Sequence, residues 1–385
     1  MIRLFVNALA ASAGGGLTYV RNLIPELERR SDVSTTVLLP AALRAEFAPS
    51  ANVDFCECTP KRGFGRYWSE QTLLPRLITK SGANILLSTG NFALWRSPVP
   101  QILLSRNALY LSQDFYRDLR QRRDLRLWLD TRIKGALARR SIRAADCTIA
   151  PTSAFAADLA CWVDKPVRGL HHGFDAEHFF RDSTSLPLET RKQLEQAEGC
   201  LKLLFVSHYN YYRNFETLLR ALPLLRDRLA PRHVRLVLTC KLESGANPGA
   251  YKADGAANLA RQLGVETLVI QLGAVPYRAL HHVYRACDVY VTAAYAESFA
   301  HPLVEAMASG LPVVASDIAV HREICGGAAR YFQSHSPEDA ASAICETIDS
   351  SEVRSQQCEI GRLRAEEFSW RKHVDALLEQ AGALL

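Results

Sequence analysis

With 385 residues, 48% of them hydrophobic and 22% charged, the chain has the make-up of a globular protein and exceeds what one core usually organises, so two domains of ordinary size are expected. No apolar run approaches the roughly 20 residues of a membrane span, which excludes a bilayer-crossing helix. The formal charge of +6 is concentrated: Arg117 to Arg143 holds ten basic residues against Asp118, Asp124 and Asp130, a local balance of +7.

In chain order, Ile2 to Val6 reads as a strand, Gly14 to Gly16 as a tight turn and Leu17 to Arg29 as a helix. A secretory leader would use Arg3, the first apolar stretch and Ala11-Ser12-Ala13 as cleavage site. That stretch is short and interrupted by Asn7, so a strand and a glycine loop are expected instead. With Leu119, Leu125, Leu127, Trp128, Leu129, Ile133 and Leu137 interleaved, Arg117 to Arg143 reads as a basic amphipathic helical region of the first domain. Such a surface can rest on anionic lipid, each basic side chain contributing about 1 kcal/mol. An ordinary solvated helix is the alternative. No nucleic-acid motif accompanies the charge, and no nucleic acid partner is expected.

The halves meet near Asp164 to Phe174, and polar Arg181 to Gly199 reads as a surface excursion just inside the second half. Leu203 to Val206 is a strand, a polar turn runs through Asn210 and Asn214, and Phe215 to Leu225 has helical spacing. Further strands are expected at Val234 to Thr239, Leu268 to Leu272, Val289 to Val291 and Val313 to Ala315. Strands alternating with helices imply α/β domains, with parallel sheets covered by helices. The ten cysteines lack paired metal-ligand spacing, Cys56 and Cys58 being the nearest approach. Cys161, Cys240 and Cys325 sit among apolar residues, as buried thiols do in a reducing cytosol. Neither His171-His172 nor His281-His282 has metal-ligand spacing, so no obligatory metal is expected.

The stretch AESFAHPLVEAMASGLPVVASD carries the most chemistry. Pro302 suits a first helical position and Gly310 with Pro312 an end, which predicts a helix over Leu303 to Ser309 with Glu305 in its first turn and Glu297 on the loop before it. Unpaired amides at a helix start attract anions, so two carboxylates flank an anion cradle, an arrangement suited to a sugar nucleotide. The plainer alternative is a glutamate complementing a helix dipole and another in solvent.

Glu297, Phe299, Glu305-Ala306-Met307-Ala308, Gly310 and Pro312-Val313-Val314 closely resemble the glutamate-seven-residues-glutamate signature of the family 4 retaining glycosyltransferases, which have the GT-B fold of two facing Rossmann-like domains. Leu170 to Asp175 with Phe179 resembles the family's interdomain asparagine-glycine segment, His172 replacing asparagine. Gly273 to Pro276, Leu280, Tyr284 and Asp288 resemble the segment passing the nucleotide base, and Phe368-Ser369-Trp370 the start of a C-terminal crossover helix. The resemblance implies an acceptor-binding domain over 1–170, onto which a helix over 370–385 packs back, and a nucleotide-sugar-binding domain over 171–369.

In such enzymes the first glutamate contacts the transferred sugar, the second the ribose hydroxyls, and loop amides hold sugar and diphosphate. The resemblance therefore assigns the donor to Gly15, Gly16, His208, Arg213, Val275, Ser298, Phe299, Ala300, Leu303 and Glu305, with Glu297 and Arg213 catalytic. Arg213 stands where the family commonly has lysine, a cation aimed at the leaving phosphate. Ser207 and His208 replace a glycine and an arginine, and Ser298 and Ala300 stand where glycine is usual. Arg106 and Asn107, acceptor-side candidates, replace a histidine-aspartate pair, so no general base is nominated. The resemblance implies a retaining reaction in which the leaving phosphate itself accepts the acceptor's proton.

The implied activity is transfer of a sugar from a nucleoside-diphosphate donor to a glycan or lipid-linked acceptor in bacterial cell-envelope polysaccharide synthesis, in the cytoplasm or peripherally on its membrane. No cofactor is implied. The rivals are a sugar-nucleotide epimerase of the same architecture, which would need no acceptor, and a non-catalytic sugar-nucleotide-binding subunit. A pyridoxal-type phosphorylase is disfavoured, since nothing marks its cofactor lysine.

Overall fold

The computed structural model describes residues 1–11, 14–59, 64–181, 184–249 and 251–385. The chain forms two compact units, one of Met1–Leu111, Trp128–Gly173 and Ser369–Leu385, the other of Ser112–Leu127 and Phe174–Phe368. Residues 12–13 of the weighed cleavage site and 182–183 of the polar stretch lie outside the described residues. Among the described residues no helix is long and apolar enough to cross a membrane.

The first unit is built on strands β1 (Ile2–Asn7), β2 (Val33–Pro40), β3 (Val53–Cys58), β4 (Ile85–Ser88), β5 (Gln101–Leu104), β6 (Cys147–Ala150) and β7 (Arg168–Gly169). They form one parallel sheet in the order β3-β2-β1-β4-β5-β6-β7. Successive side chains of a strand point to opposite faces, and both faces of β1 are buried. Leu4 and Val6 pack with Tyr19, Val20 and Leu23 of the Gly14–Glu28 helix and with Trp370, Val374 and Leu377 of the Trp370–Gly382 helix. Phe5 faces Leu74 and Ile78 of the Phe64–Ser81 helix.

The glycines expected as a tight turn instead open the first helix, which starts at Gly14 rather than Leu17. The last helix is capped by the Ser369 hydroxyl, which accepts from the Lys372 amide at 3.4 Å. His373 beneath it donates from Nδ1 to the His171 carbonyl (2.8 Å), so its Nε2 accepts from the Tyr19 hydroxyl (2.9 Å). Burial pushes this imidazole down to about 4, which keeps it neutral. Gly173 explains itself here, because a Cβ on it would clash with the Trp370 backbone nitrogen.

The second unit holds β8 (Leu201–Phe205), β9 (Val234–Leu238), β10 (Val269–Gln271), β11 (Val289–Thr292), β12 (Val313–Ser316) and β13 (Ala329–Phe332), parallel in the order β10-β9-β8-β11-β12-β13. Every strand expected from the apolar runs is present. The chain leaves β8 toward β9 on one side and β11 toward β12 on the other, so the loops after β8 and β11 diverge. A crevice opens at such a reversal, beyond the carboxyl ends of the strands.

Three expectations need correction. Arg117 to Arg143 is not one helical region of the first unit but two helices, Gln113–Gln121 and Leu125–Ala144, separated where Arg123 turns through a left-handed φ of 55°, and Ser112–Leu127 belongs to the second unit. Polar Arg181 to Gly199 is more than a surface excursion: it contains the Leu188–Glu195 helix, with Leu194 and Ala197 buried. Cys161 is exposed, its apolar neighbours in sequence lying on other faces of its helix, whereas Cys240, Cys287 and Cys325 are buried; all ten thiols are free.

Candidate functional site

After β8 the chain runs through residues 206–210 into a 3-10 turn, Tyr211–Arg213, ended by Asn214 at φ 55°. Asparagine tolerates this left-handed conformation, and here its side chain also ties the loop down. Asn214 Nδ2 donates to the carbonyls of Ala293 (3.2 Å) and Ser334 (2.5 Å), while its Oδ1 accepts from the Thr217 hydroxyl (2.9 Å). The loop after β8 is thus fastened to the loop after β11. Ser316 adds a second fastening, its hydroxyl donating to the Ala294 carbonyl at 2.5 Å. Buried His321 donates from Nδ1 to the Ser316 carbonyl at 2.9 Å. Its burial holds the ring down at about 4, hence neutral.

These fastenings bring Arg213 and Glu297 together: Arg213 Nη1 donates to Glu297 Oε1, with the two side chains only 17% and 8% exposed. The guanidinium still has a buried donor to spare, since Nε has no hydrogen-bond partner among the described residues. His208 lies on the same loop, and desolvation together with the Arg213 charge holds its imidazole below the usual range. A neutral ring there leaves Arg213 as the loop's cation.

Glu297 and half-buried Ser298 lead through buried Phe299 and Ala300 into the His301–Ala308 helix. Ala300 enters that helix at φ 67°, a left-handed conformation that a Cβ disfavours by about 1–2 kcal/mol. The helix begins two residues before the expected Leu303, because Pro302, lacking an amide hydrogen, is tolerated in the second position as well as the first. Glu305 accordingly stands fifth, beyond the first turn, and not within it. It is buried and accepts the Tyr284 hydroxyl at 2.8 Å. Burial pushes its carboxyl up to about 7, against the pull of that hydrogen bond. Leu303 is wholly buried in the core, and Val275 is half-buried on the loop after edge strand β10.

In the first unit, Gly15 and Gly16 lie in the first turn of their helix, and a Cβ on Gly16 would come within 2.5 Å of Arg106 Nη2. The Arg106 amide donates to Asn91 Oδ1 at 2.7 Å, and burial lowers its guanidinium to about 10. Asn107 caps the Ala108–Tyr110 turn, its Oδ1 accepting from the Leu109 amide at 3.1 Å. Among the described residues no group of three histidine, cysteine, aspartate or glutamate side chains could hold a metal.

Sequence reasoning missed Asn214, Ser316 and His321 as the fastenings of the two loops, and Tyr284 as the partner of Glu305. Asn214 carried a signal, an asparagine directly before a helical leucine pattern, where left-handed or capping backbone is common. The other three gave none: Tyr284 and Ser316 meet Glu305 and Ala294 from other elements, 21 and 22 positions away, and His321 acts only through Ser316.

The family model described as "Glycosyltransferase Family 4" matches residues 13–178, and that described as "Glycosyl transferases group 1" matches residues 188–364. The chain belongs to the family 4 glycosyltransferases. Among curated relatives, a D-inositol 3-phosphate glycosyltransferase of Corynebacterium aurimucosum is 33% identical over 205 residues, 51% of this chain and 47% of that protein. The chain spans about half the length of the curated relatives it matches. Sucrose-phosphate synthase from Thermosynechococcus elongatus superposes with a TM-score of 0.76 at 17% identity, covering all of both chains. HepE of Anabaena, solved with UDP and glucose, gives 0.71 at 18%, again over both full chains. The two parallel sheets of this chain are those of a GT-B glycosyltransferase fold with two Rossmann-like domains.

Proposed function

We propose that the chain is a retaining glycosyltransferase that moves a sugar from a nucleoside-diphosphate sugar to a glycan or lipid-linked acceptor without an obligatory metal. The observation that carries this reading is the meeting of Arg213 and Glu297 on the two loops that diverge at the reversal of the second sheet, with the buried Glu305 carboxyl in the helix that follows. The spare Nε donor of Arg213 suits a leaving diphosphate, whose charge grows as the bond to the anomeric carbon breaks. Glu297 holds the sugar, and Glu305 accepts from the ribose hydroxyls. A new bond forms from the acceptor oxygen to the anomeric carbon, and the hydroxyl proton passes to the departing diphosphate. HepE, whose solved complex contains UDP and glucose, favours a uridine nucleotide as the first donor to test.

An anionic membrane fits the acceptor side. On the Leu125–Ala144 helix, Leu125, Leu129 and Ile133 are exposed at helical spacing, 66%, 54% and 39%, beside exposed Arg126 and Arg132. A lipid-linked acceptor of cell-envelope polysaccharide synthesis would be presented on such a surface.

The deciding experiment supplies a panel of sugar nucleotides, UDP-glucose first, with lipid-linked and glycan acceptors in excess EDTA. Retained anomeric configuration in the product, read by proton NMR coupling, is the expected result. Turnover that requires added magnesium or manganese, inversion, or conversion of donor with no acceptor present would each overturn the reading.

A further inference from the structure

We propose that Arg122 and Tyr295 are positioning residues for sugar transfer, acting through a strap, Ser112–Leu127, that braces the two loops carrying Arg213 and Glu297. The inference rests on the function proposed above.

The strap precedes the rest of its unit by a long stretch of sequence, yet its Asp118, Arg122 and Asp124 side chains turn to that unit's two loops. Arg122 donates from Nε to Asp118 Oδ1 at 2.6 Å within the strap and from Nη2 to Glu216 Oε1 at 2.9 Å. Its guanidinium lies 4.3 Å over the Tyr211 ring, two residues before Arg213. Glu216 also accepts the Tyr209 hydroxyl at 2.9 Å, from the same loop. The other carboxylate oxygen of Asp118 accepts the Tyr295 hydroxyl at 2.9 Å, two residues before Glu297.

The ring of contacts closes through backbone. The Tyr295 amide donates to the Tyr212 carbonyl at 3.0 Å, which joins the residue next to Arg213 to the loop of Glu297. Arg122, Asp118 and Glu216 side chains are 25%, 18% and 19% exposed. Burial works against the Arg122 charge, but Glu216 and Asp118 outweigh it and hold the guanidinium above its usual range. A largely desolvated network of this kind has one low-energy arrangement, so it fixes where both loops end. Because Asn214 and Ser316 fasten the loops independently, losing one strap contact leaves the fold standing while freeing the approach of Arg213 to Glu297.

The test compares Tyr295→Phe, Arg122→Lys and Arg122→Ala with the wild type. Tyr295→Phe deletes one hydroxyl and should lower kcat about tenfold with donor KM within about twofold; Arg122→Ala should lower it further and Arg122→Lys recover part of the loss. In an Arg213→Ala background, Tyr295→Phe should change kcat by less than about twofold, since residues acting through one another do not add. Multiplying losses in that double variant would overturn the proposal and leave the strap as packing. Independently of activity, hydrogen exchange in Arg122→Ala should quicken at residues 207–214 and 293–297 and stay unchanged in β8 and β11. Unchanged or uniformly faster exchange would also overturn it. A wild type that transfers no sugar from any donor sinks the proposed function instead, and the exchange result still decides the strap.

Discussion

The Tyr284 hydroxyl donates to Glu305 at 2.8 Å in a place where burial has already raised that carboxyl from 4.5 to about 7. Native Glu305 therefore binds a proton that the unfolded chain has released over this interval. Its contribution makes the unliganded protein less stable as pH rises from 4.5 to about 7, by on the order of 3 kcal/mol. Glu305→Gln should flatten that slope, as measured by urea unfolding at pH 5 and pH 7.

The same group links donor binding to protons. If ribose hydroxyls donate to the carboxylate, UDP-glucose should bind more tightly at pH 8 than at pH 6, releasing a proton that calorimetry in two buffers detects. Glu305→Gln should lose the linkage and about 1.5–3 kcal/mol of affinity. Full affinity without proton release would take Glu305 off the ribose.

Arg213→Ala and Glu297→Gln should each lower turnover at least about 100-fold, roughly 2.7 kcal/mol of barrier, with far-UV circular dichroism unchanged. Since the two side chains pair, the double variant should lose little more than the worse single one. Near-normal turnover in Glu297→Gln would remove it from the chemistry.

Ala300 sits at φ 67°, where glycine carries no Cβ penalty. Ala300→Gly should raise stability by about 1 kcal/mol in denaturant titrations. A loss of stability would mean that the methyl's packing outweighs the strain.

Membrane docking predicts salt-sensitive sedimentation with anionic but not neutral vesicles, because screening at physiological salt acts over about 8 Å. Arg122 is committed to Asp118 and Glu216, so the informative variant reverses Arg126, Arg132 and Arg139 to glutamate. Equal binding by that variant would return the helix to ordinary solvated surface.

The second sheet was largely legible because β8 to β12 are short, mostly apolar runs bounded by turn residues, whereas of the first sheet only β1 stood out, strands such as Val53–Cys58 and exposed Arg168–Gly169 carrying no apolar run. The glutamate pair was legible through its spacing. What stayed hidden depends on partners far away in sequence or on backbone that residue type disguises. Tyr295 and Asp118 are 177 positions apart, and nothing local to the strap marks its attachment. Ala300 conceals a left-handed helix entry, since alanine gives no hint of positive φ.

The Trp370–Gly382 helix supplies Trp370, Val374 and Leu377 to the core built on Leu4 and Val6 of β1. On a ribosome, the earliest strand is therefore made long before the helix that covers one of its faces. The first sheet must wait with that face only partly covered, by the Gly14–Glu28 helix, while residues 174–368 emerge, a window in which its remaining apolar surface is open to aggregation.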